Sequence, residues 1–294
     1  MTITTLGVIG TGAMGSGIIE VAAKAGVTVI ARDINAAAVE AGQGKVEGSM
    51  AKAVERGKLD EAARDTAVAN ITWTTDLADL APCDLVIEAA PENLELKKEI
   101  FAELDSILGP DAIIATNTSS YPIIEVAMVT SRPEKVVGMH FFNPATVMKL
   151  VEVISTQRTA DDVKAAADAF ASDVLGKRVV HCKDRAGFVV NMLLVPYLCQ
   201  AMRMFENGHA SAADIDEAMK LGAGHPMGPL ELSDMIGLDV MLWTAESLHD
   251  EYNEAFYAPP PLLRRRTRPQ LRSRRPSRRP HLPRPRPPST WPHV

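Results

Sequence analysis

The opening of this 294-residue chain contains the pattern that most constrains its fold. A short apolar run at residues 6–9 leads into a glycine-rich turn at residues 10–15, and residues 18–25 have the composition of a helix. A second apolar run, rich in β-branched residues, follows at residues 27–31 and ends next to Asp33. Strand, glycine turn, helix, strand and acid is the order of a βαβ unit that binds a dinucleotide.

Each glycine of this turn has its own physical reason. Gly10 permits the tight turn, Gly12 leaves room for a pyrophosphate to approach the backbone, and Gly15 lets the helix pack closely on the strand. The N–H groups at the helix start then point at the phosphates. Asp33 is placed to accept hydrogen bonds from the adenosine ribose, and its charge repels a 2′-phosphate, so the sequence predicts NAD rather than NADP. An ordinary βαβ crossover with a glycine-rich turn is the structural alternative.

The composition is that of a soluble globular protein, with 46% hydrophobic and 23% charged residues. The length allows two domains. Three widely spaced cysteines favour a reducing compartment and indicate neither a disulfide framework nor a metal site. No signal-peptide pattern opens the sequence, and polar residues interrupt the most apolar segment, residues 187–205. We therefore expect a cytoplasmic protein without a membrane span.

Strands and helices alternate through the first part of the chain, which predicts an α/β fold with a Rossmann-type, doubly wound, mainly parallel sheet. From about residue 184 the pattern is helical, so a smaller all-α domain should follow. We place the dinucleotide-binding domain at residues 1–183, the helical domain at 184–263 and an irregular tail at 264–294. Beyond the first two strands, the predicted strands are residues 71–74, 84–88, 112–116, 135–139, 150–154 and 177–181.

Residues 264–294 are rich in arginine and proline, and they contain 11 of the 31 basic side chains and none of the 37 acidic ones. This composition predicts a disordered segment without a regular helix or a buried core. A shift of reading frame near codon 264 is our preferred hypothesis, and a basic arm for nucleic acid or an acidic membrane surface is the alternative. Because the preceding residues are strongly acidic, we do not expect nucleic acid as a partner.

Polar residues follow several of the predicted strands, at the edge where open α/β sheets bind ligands. This position singles out Glu92, Asn117 and Ser119. His140 also lies at a strand end, and Glu152 lies inside an apolar strand, where an acid is costly to bury without a partner. We therefore expect His140 and Glu152 to form a general base backed by a carboxylate, although a histidine at a strand end can be purely structural.

An alanine-rich helical segment at residues 36–56 carries three polar side chains on one face, Ser49, Lys52 and Arg56. This face fits the phosphates of a bulky anionic substrate, and it fits a solvated helix surface equally well. The pattern alone leaves both interpretations open.

From about residue 6 to residue 263, the chain resembles the 3-hydroxyacyl-CoA dehydrogenases, and most closely the short-chain 3-hydroxybutyryl-CoA dehydrogenases. The resemblance implies reversible oxidation of a (3S)-3-hydroxyacyl-CoA to the 3-oxoacyl-CoA with NAD, a step of fatty acid metabolism. The glycine motif is common to many dehydrogenases, whereas the joint occurrence of all the motifs in this order is specific. These motifs are residues 10–15 with Asp33, and residues 88–93, 117–120, 140–144, 149–153, 183–191 and 222–229.

The resemblance also implies a role for each site residue. His140 would take the proton of the 3-hydroxyl group as hydride leaves C3 for the nicotinamide, and Glu152 would orient the imidazole. Ser119 and Asn191 would hold the reacting end of the substrate. The residues implied to contact the nucleotide are Gly10, Gly12, Gly15, Asp33, Glu92, Lys97, Ser119 and Asn143, and those implied to contact CoA are Ser49 and Arg56.

By the same resemblance, the helical domain would close over the acyl-CoA and form most of a homodimer interface. The altered C-terminus would weaken that dimer. Two other functions stay open at this point. One is a hydroxyacid or sugar-acid dehydrogenase on the same scaffold, and the other is an NAD-binding protein that its aberrant C-terminus inactivates.

Overall fold

An eight-stranded sheet organises residues 5–183, and helices follow it. The computed structural model describes residues 2–273, with side chains as far as Thr267. By its internal contacts the chain divides into two units, Met1–Phe188 and Val189–Val294. An α/β unit followed by a helical unit confirms the predicted fold class.

The division between the units falls after Phe188, a few residues beyond the boundary that we placed at residue 184. The Asp184 carboxylate accepts hydrogen bonds from the backbone N–H groups of Ile123 and Ile124, each at 2.8 Å. Phe188 is buried in an apolar core of the first unit. These contacts attach the segment to the sheet, although its sequence has lost strand character.

The sheet has the doubly wound topology, with the strand order reversing beside β1. Its strands are β1 (Thr5–Ile9), β2 (Thr28–Arg32), β3 (Ile71–Thr74), β4 (Leu85–Glu88), β5 (Ile113–Thr116), β6 (Val136–Phe141), β7 (Leu150–Ser155) and β8 (Arg178–Lys183). They lie in the order β3-β2-β1-β4-β5-β6-β7-β8, and every neighbouring pair is parallel except β6 with β7. The predicted strands agree with these bounds to within two residues.

Apolar side chains cover both faces of the central strands. Leu85 and Ile87 of β4 lie in one core, and Val86 between them lies in the other. A strand buried on both faces has a continuous apolar sequence, which is why these strands were visible as apolar runs. The helices of the first unit are α1 (Ala13–Lys24), α2 (Ala36–Glu55), α3 (Glu61–Ala69), α4 (Leu94–Ile107), α5 (Ile123–Ala127) and α6 (Asp161–Ala169), which continues as a π-helical turn at Phe170–Val174.

Side-chain caps define where three of these helices begin. Asn35, Asp60 and Asn93 precede α2, α3 and α4, and each accepts a hydrogen bond from the backbone N–H three residues further on. Such caps satisfy N–H groups that have no carbonyl partner within the helix. Helix α1 differs, because Gly12 occupies its cap position and no side chain caps it.

The described part of the second unit is helical. Among the described residues, no helix combines the length and apolar character needed to cross a membrane. Within this unit α7 packs against α9 and α10, and α8 packs against α9. The helices are α7 (Val190–Glu206), α8 (Ala212–Ala223), α9 (Pro229–Ile236), α10 (Leu238–Tyr252) and α11 (Pro261–Ser273).

Helix α11 corrects the prediction of an irregular tail. Residues 264–273 are helical, so the prediction is wrong for them. Proline is tolerated in the first turn of a helix, where Pro261 stands. Leu263 and Thr267, one helical turn apart, are both buried, and α11 packs against α7 and α10. The predicted disorder of residues 274–294 falls outside the described residues and stays a prediction.

Acidic side chains of the helical unit pair with the first arginines of the tail. Arg264 Nη1 donates a hydrogen bond to Glu246 Oε1 at 2.7 Å, and Arg265 forms an ion pair with Glu206. The backbone N–H of Leu262 also donates to Glu206, at 3.2 Å. The amino-acid composition shows only a basic segment. It does not reveal that two of its arginines pair with carboxylates.

We expect Leu263→Ala to destabilise the helical unit by roughly 2–5 kcal/mol, because this side chain is fully buried and its loss leaves a cavity. Arg264→Ala is the matched control, since its half-exposed ion pair should contribute less than about 1 kcal/mol. Urea unfolding followed by circular dichroism measures both changes. Equal unfolding midpoints for the two variants would contradict the packing of α11.

Candidate active site

The turn between β1 and α1 has the geometry of a dinucleotide site. Gly10 has a φ of +91°, which side chains disfavour, and a Cβ there would lie 2.6 Å from the Ala89 carbonyl oxygen. A Cβ at Gly15 would lie 1.7 Å from the Gly10 carbonyl oxygen, so only glycine lets α1 pack on the turn. A Cβ at Gly12 would meet nothing within 4 Å. The fold therefore requires Gly10 and Gly15, whereas the open space at Gly12 fits a pyrophosphate.

The start of α1 can bind phosphate oxygens. It has no side-chain cap and no acidic residue in its first turn. The first N–H groups of a helix lack carbonyl partners within it, and the helix dipole favours an anion at this end. The Ser16 hydroxyl donates to the Thr11 carbonyl oxygen at 2.7 Å and thereby fixes the turn before the helix. The residues present therefore fit the diphosphate of NAD.

Asp33 follows β2 and faces the same turn. Its Oδ2 accepts hydrogen bonds from the Thr11 N–H at 2.7 Å and the Thr11 hydroxyl at 2.8 Å, and its Oδ1 accepts from the Ile34 N–H at 2.7 Å. Burial raises the pKa of the Asp33 carboxyl, but these hydrogen bonds outweigh burial, and the net pKa lies below its usual value. The ionised carboxylate disfavours a 2′-phosphate.

His140 and Glu152 face each other across β6 and β7. The register of this antiparallel pair makes the two residues direct partners. His140 Nδ1 lies 2.7 Å from Glu152 Oε2. Glu152 is fully buried and His140 is 5% exposed, so the hydrogen bond is shielded from water. The structure thus brings together the acid and the imidazole that the sequence suggested would pair.

Aromatic rings and a strand-end amide fix the surroundings of His140. The imidazole packs edge-on against the Phe142 ring, with centroids 4.6 Å apart, and lies 5.4 Å from the Phe188 ring. The Asn117 side-chain oxygen accepts a hydrogen bond from the Phe141 N–H at 2.8 Å, which joins the ends of β5 and β6. Asn117, selected for its place at a strand end, therefore holds the strand that carries His140.

Glu92, Lys97 and Ser119 lie together beyond the ends of β4 and β5. The Ser119 N–H donates to Glu92 Oε1 at 2.9 Å, and Lys97 Nζ lies 3.5 Å from Glu92 Oε2. Lys97 is 1% exposed, and its nearest carboxylate oxygen is Glu88 Oε1 at 2.7 Å. The structure therefore joins the three predicted residues and adds Glu88, which sequence analysis identified only as part of a motif.

A cleft of about 160 Å³ brings together residues predicted for two different ligands. Ser49 of α2 and Asn143, in the loop between β6 and β7, both line it. Lys45 also lines the cleft, and its Nζ donates to the Thr11 carbonyl oxygen at 3.2 Å. Sequence analysis missed Lys45, although its position four residues before Ser49 places it on the same helical face.

Two predicted substrate residues lie outside these groups. Arg56 is exposed at the C-terminal cap of α2. Asn191 lies in the first turn of α7, in the second unit. Their roles stay predictions.

The cysteines are thiols rather than thiolates at neutral pH. Burial, together with the Glu152 and Asp184 carboxylates, raises the pKa of Cys182 to about 12. Burial is also the main cause that raises the pKa of Cys83 to about 12 and that of Cys199 to about 11. Nucleophilic catalysis requires the thiolate, so these cysteines are poor candidates for it. Within residues 2–273, no three His, Cys, Asp or Glu side chains are grouped to hold a metal ion.

The glycine turn, the uncapped helix and the ionised Asp33 define the first unit as the cofactor domain of an NAD-dependent oxidoreductase. The chain belongs to the 3-hydroxyacyl-CoA dehydrogenase family: the NAD binding domain of that family matches residues 5–185, and its C-terminal domain matches residues 187–277. The second match passes residue 263, where we expected the resemblance to end. It agrees with the helical state of residues 264–273.

Relatives cover nearly all of the chain. A 3-hydroxybutyryl-CoA dehydrogenase of Mycobacterium tuberculosis is 50% identical over 264 residues, which are 90% of this chain and 92% of the relative. The crystal structure of M. tuberculosis FadB2 superposes with a TM-score of 0.91 at 49% identity, covering 92% of this chain and 95% of that one. The (S)-3-hydroxybutyryl-CoA dehydrogenase PaaH1 of Ralstonia eutropha gives 0.87 at 44% identity, with the same coverage.

Changing Gly12 or Gly15 to alanine should affect different properties of the protein, NADH affinity in the first case and stability in the second. We expect Gly15→Ala to destabilise the first unit by on the order of 1–3 kcal/mol or more, because its Cβ would collide with the Gly10 carbonyl oxygen. Gly12→Ala should fold like the parent and lose NADH affinity, because its Cβ would fill the space kept for the pyrophosphate. Thermal unfolding and NADH fluorescence titration separate the effects. Normal NADH binding by Gly12→Ala would contradict its assignment.

Asp33→Asn should shift cofactor preference from NADH toward NADPH, because it removes the charge that repels a 2′-phosphate. Asp84→Asn is the matched control, since Asp84 also accepts hydrogen bonds from backbone N–H groups and has a lowered pKa, but it precedes β4. The ratio of NADH to NADPH dissociation constants measures the change. An unchanged ratio would remove Asp33 from the ribose site.

The same variant predicts a pH dependence. Because the pKa of Asp33 is lower in the folded state, its stabilisation is present at neutral pH and is lost as the pH falls through the folded-state pKa. The stability difference between the parent and Asp33→Asn should therefore shrink below about pH 4. Urea midpoints at pH 7 and in acid test this sign.

Proposed function

We propose that the protein interconverts a (3S)-3-hydroxyacyl-CoA and the corresponding 3-oxoacyl-CoA, with 3-hydroxybutyryl-CoA as the expected substrate and NAD as the hydride carrier. The observation that carries the proposal is the buried hydrogen bond of 2.7 Å between His140 and Glu152. His140 lies near the carboxyl end of β6, which runs parallel to β1 and the glycine turn that follows it. A relative that is 50% identical is a 3-hydroxybutyryl-CoA dehydrogenase, which favours the short-chain substrate.

His140 acts as the general base in this proposal. An ionised Glu152 can only accept a hydrogen bond, so Nδ1 carries the proton and Nε2 presents its lone pair. Nε2 takes the proton of the 3-hydroxyl group. NAD, when bound, would supply the acceptor for the hydride that leaves C3. The positive charge that develops on the imidazole is stabilised by Glu152, as in a hydrolase triad. The reverse reaction returns the same proton from Nε2 to the carbonyl oxygen.

The other predicted residues orient the reactants. Ser119 and Asn191 would hold the reacting end of the substrate, and Glu92, Lys97 and Asn143 would contact the nucleotide. The network that joins Ser119 to Glu92 supports their assignment to one site. Fixing both reactants in this way can contribute more to the rate than the base itself.

The CoA moiety is assigned to α2 in this proposal. Ser49 lines the cleft together with Asn143, so a ligand there can approach both the substrate helix and the cofactor loop. Lys45 adds a positive charge to that cleft. Arg56 stands two helical turns beyond Ser49, about 10 Å along the helix, a distance that an extended CoA can span.

We also propose a homodimer formed through the helical unit. Leu193, Leu221 and Met235 are 72%, 79% and 64% exposed, and Trp243 is 40% exposed. A contiguous patch of large apolar side chains on a surface is typical of a protein–protein interface, and these four residues are the candidates for one in the helical unit. We expected an irregular tail from residue 264 to weaken this dimer. Because α11 is helical through Ser273, that reason for a weakened dimer does not apply to residues 264–273. The cytoplasmic location expected from the three widely spaced cysteines stays part of this proposal.

Oxidation of NADH in the presence of acetoacetyl-CoA tests the function. We expect turnover with acetoacetyl-CoA and none with free acetoacetate. Turnover of acetoacetate alone would favour a hydroxyacid dehydrogenase. NADH binding without turnover of either would indicate an NAD-binding protein that lacks this activity.

His140→Gln should lower kcat by roughly 10²–10⁴-fold, because it removes the general base, while NADH affinity stays at the parent value. His181→Gln is the matched control, because this histidine of β8 is half exposed and lies 3.5 Å from Asp168 rather than Glu152. Steady-state kinetics with acetoacetyl-CoA measure both variants. Full activity of His140→Gln would remove the assignment of the base.

A further inference from the structure

Glu88, the last residue of β4, is a fully buried carboxylate with three short hydrogen bonds. Its Oε1 accepts from the Ala90 N–H and from Lys97 Nζ, and its Oε2 accepts from the Thr116 hydroxyl, each at 2.7 Å. These partners come from the turn after β4, from α4 and from β5. One side chain therefore fixes three segments at the carboxyl edge of the sheet.

Lys97 links this carboxylate to the residues proposed for the cofactor. Its ammonium group has three N–H donors. Besides Glu88, the oxygens near it are the Ala90 carbonyl at 3.4 Å and Glu92 Oε2 at 3.5 Å. Glu92 in turn accepts the Ser119 N–H at 2.9 Å. A continuous chain of charged groups and hydrogen bonds thus runs from the buried strand end to Ser119.

The turn held by Glu88 also borders the glycine-rich loop. The Ala89 N–H donates to the Ile9 carbonyl oxygen at 2.7 Å. The Ala89 carbonyl oxygen lies where a side chain at Gly10 would have to be. A displacement of the Glu88–Ala90 turn would therefore move the crevice that receives the dinucleotide.

Stability alone is a weak reason for this ion pair. Removing a carboxylate and an ammonium group from water costs free energy that their attraction only partly returns, and apolar replacements are often equally stable. A fixed location for a buried charge, by contrast, positions every group bonded to it.

We propose that Glu88 is a positioning residue of the NAD site and acts on the cofactor through Lys97. The proposal rests on the cofactor half of the proposed function and does not depend on the identity of the acyl substrate. Glu88 holds the ammonium group of Lys97 away from solvent and in reach of Glu92. Without the charge of Glu88, Lys97 moves toward Glu92, and the Glu92–Ser119 contact shifts with it.

The test is a double-mutant cycle on NADH affinity, with the full-length chain. Glu88→Gln keeps the shape and can still bond to the Ala90 N–H and the Thr116 hydroxyl, but it removes the charge. We expect Glu88→Gln and Lys97→Met each to raise the NADH dissociation constant roughly tenfold, because both belong to one network. The double variant should match Lys97→Met alone, since Glu88 acts through that residue. The double variant leaves no buried charge without a partner. If Lys97→Met folds poorly, the NADH dissociation constant of the double variant can therefore be compared with that of Glu88→Gln.

Asp105→Asn is the matched control. Asp105 pairs with Arg132 at 2.9 Å at the other end of α4, about 12 Å from Lys97 along the helix. The Asp105→Asn substitution should lower the melting temperature and leave NADH affinity unchanged. If Glu88→Gln behaves in the same way, its role is structural and the proposal is overturned. The proposal would also be overturned if the increase in the NADH dissociation constant of the double variant equalled the product of the increases in the two single variants.

Kinetics separate this proposal from the acyl-CoA function. With acetoacetyl-CoA, Glu88→Gln should raise the KM for NADH more than the KM for acetoacetyl-CoA, because of the two ligands only NADH would contact Glu92 and Lys97 in the proposed function. If the parent protein does not turn over acetoacetyl-CoA, the proposed function fails, and the NADH dissociation constants still decide the role of Glu88. Equal increases in both KM values would contradict a role confined to the cofactor.

Discussion

The antiparallel pairing of β6 with β7 is the constraint on which the site depends. Every other neighbouring pair in the sheet is parallel and is joined through a crossover, whereas here the chain returns directly beside itself. The ladder register places His140 opposite Glu152, and a slip of one residue would move the carboxylate to the other face of the sheet. The buried hydrogen bond between them is therefore set by backbone pairing, and the enclosing aromatic rings then keep water from it.

Features set by local rules were predictable from the sequence. The strands appear as apolar runs because both faces of the sheet are buried, and Gly10 and Gly15 are required by contacts within one βαβ unit. The His140–Glu152 pair was predictable because burying an acid without a partner costs free energy. Lys97 marks the limit of local rules: the resemblance implies that it contacts the nucleotide, but only tertiary packing reveals that its ammonium group is buried against Glu88. The prediction of an irregular tail was wrong for residues 264–273 for a related reason. Composition did not reveal that Leu263 and Thr267 are buried.

Buried charge is concentrated at the carboxyl edge of the sheet. Glu88 and Lys97 neutralise each other there, and Glu152 meets an imidazole that gains a proton in the proposed reaction. Low polarity strengthens each of these interactions and makes an unpaired charge costly. In the proposed reaction, the positive charge on the imidazole would therefore meet a carboxylate that is already in place, without large movement of the surrounding dipoles.

The raised pKa of Cys182 has a consequence for the reactivity of β8, the strand that pairs with the strand of Glu152. Peroxides and disulfides react with thiolates, and a thiol with a pKa of about 12 offers almost none at neutral pH. Part of that shift comes from the same Glu152 carboxylate that orients His140. The carboxylate that accepts the hydrogen bond of His140 therefore also helps burial to keep the Cys182 thiol on the neighbouring strand protonated and less reactive toward oxidants.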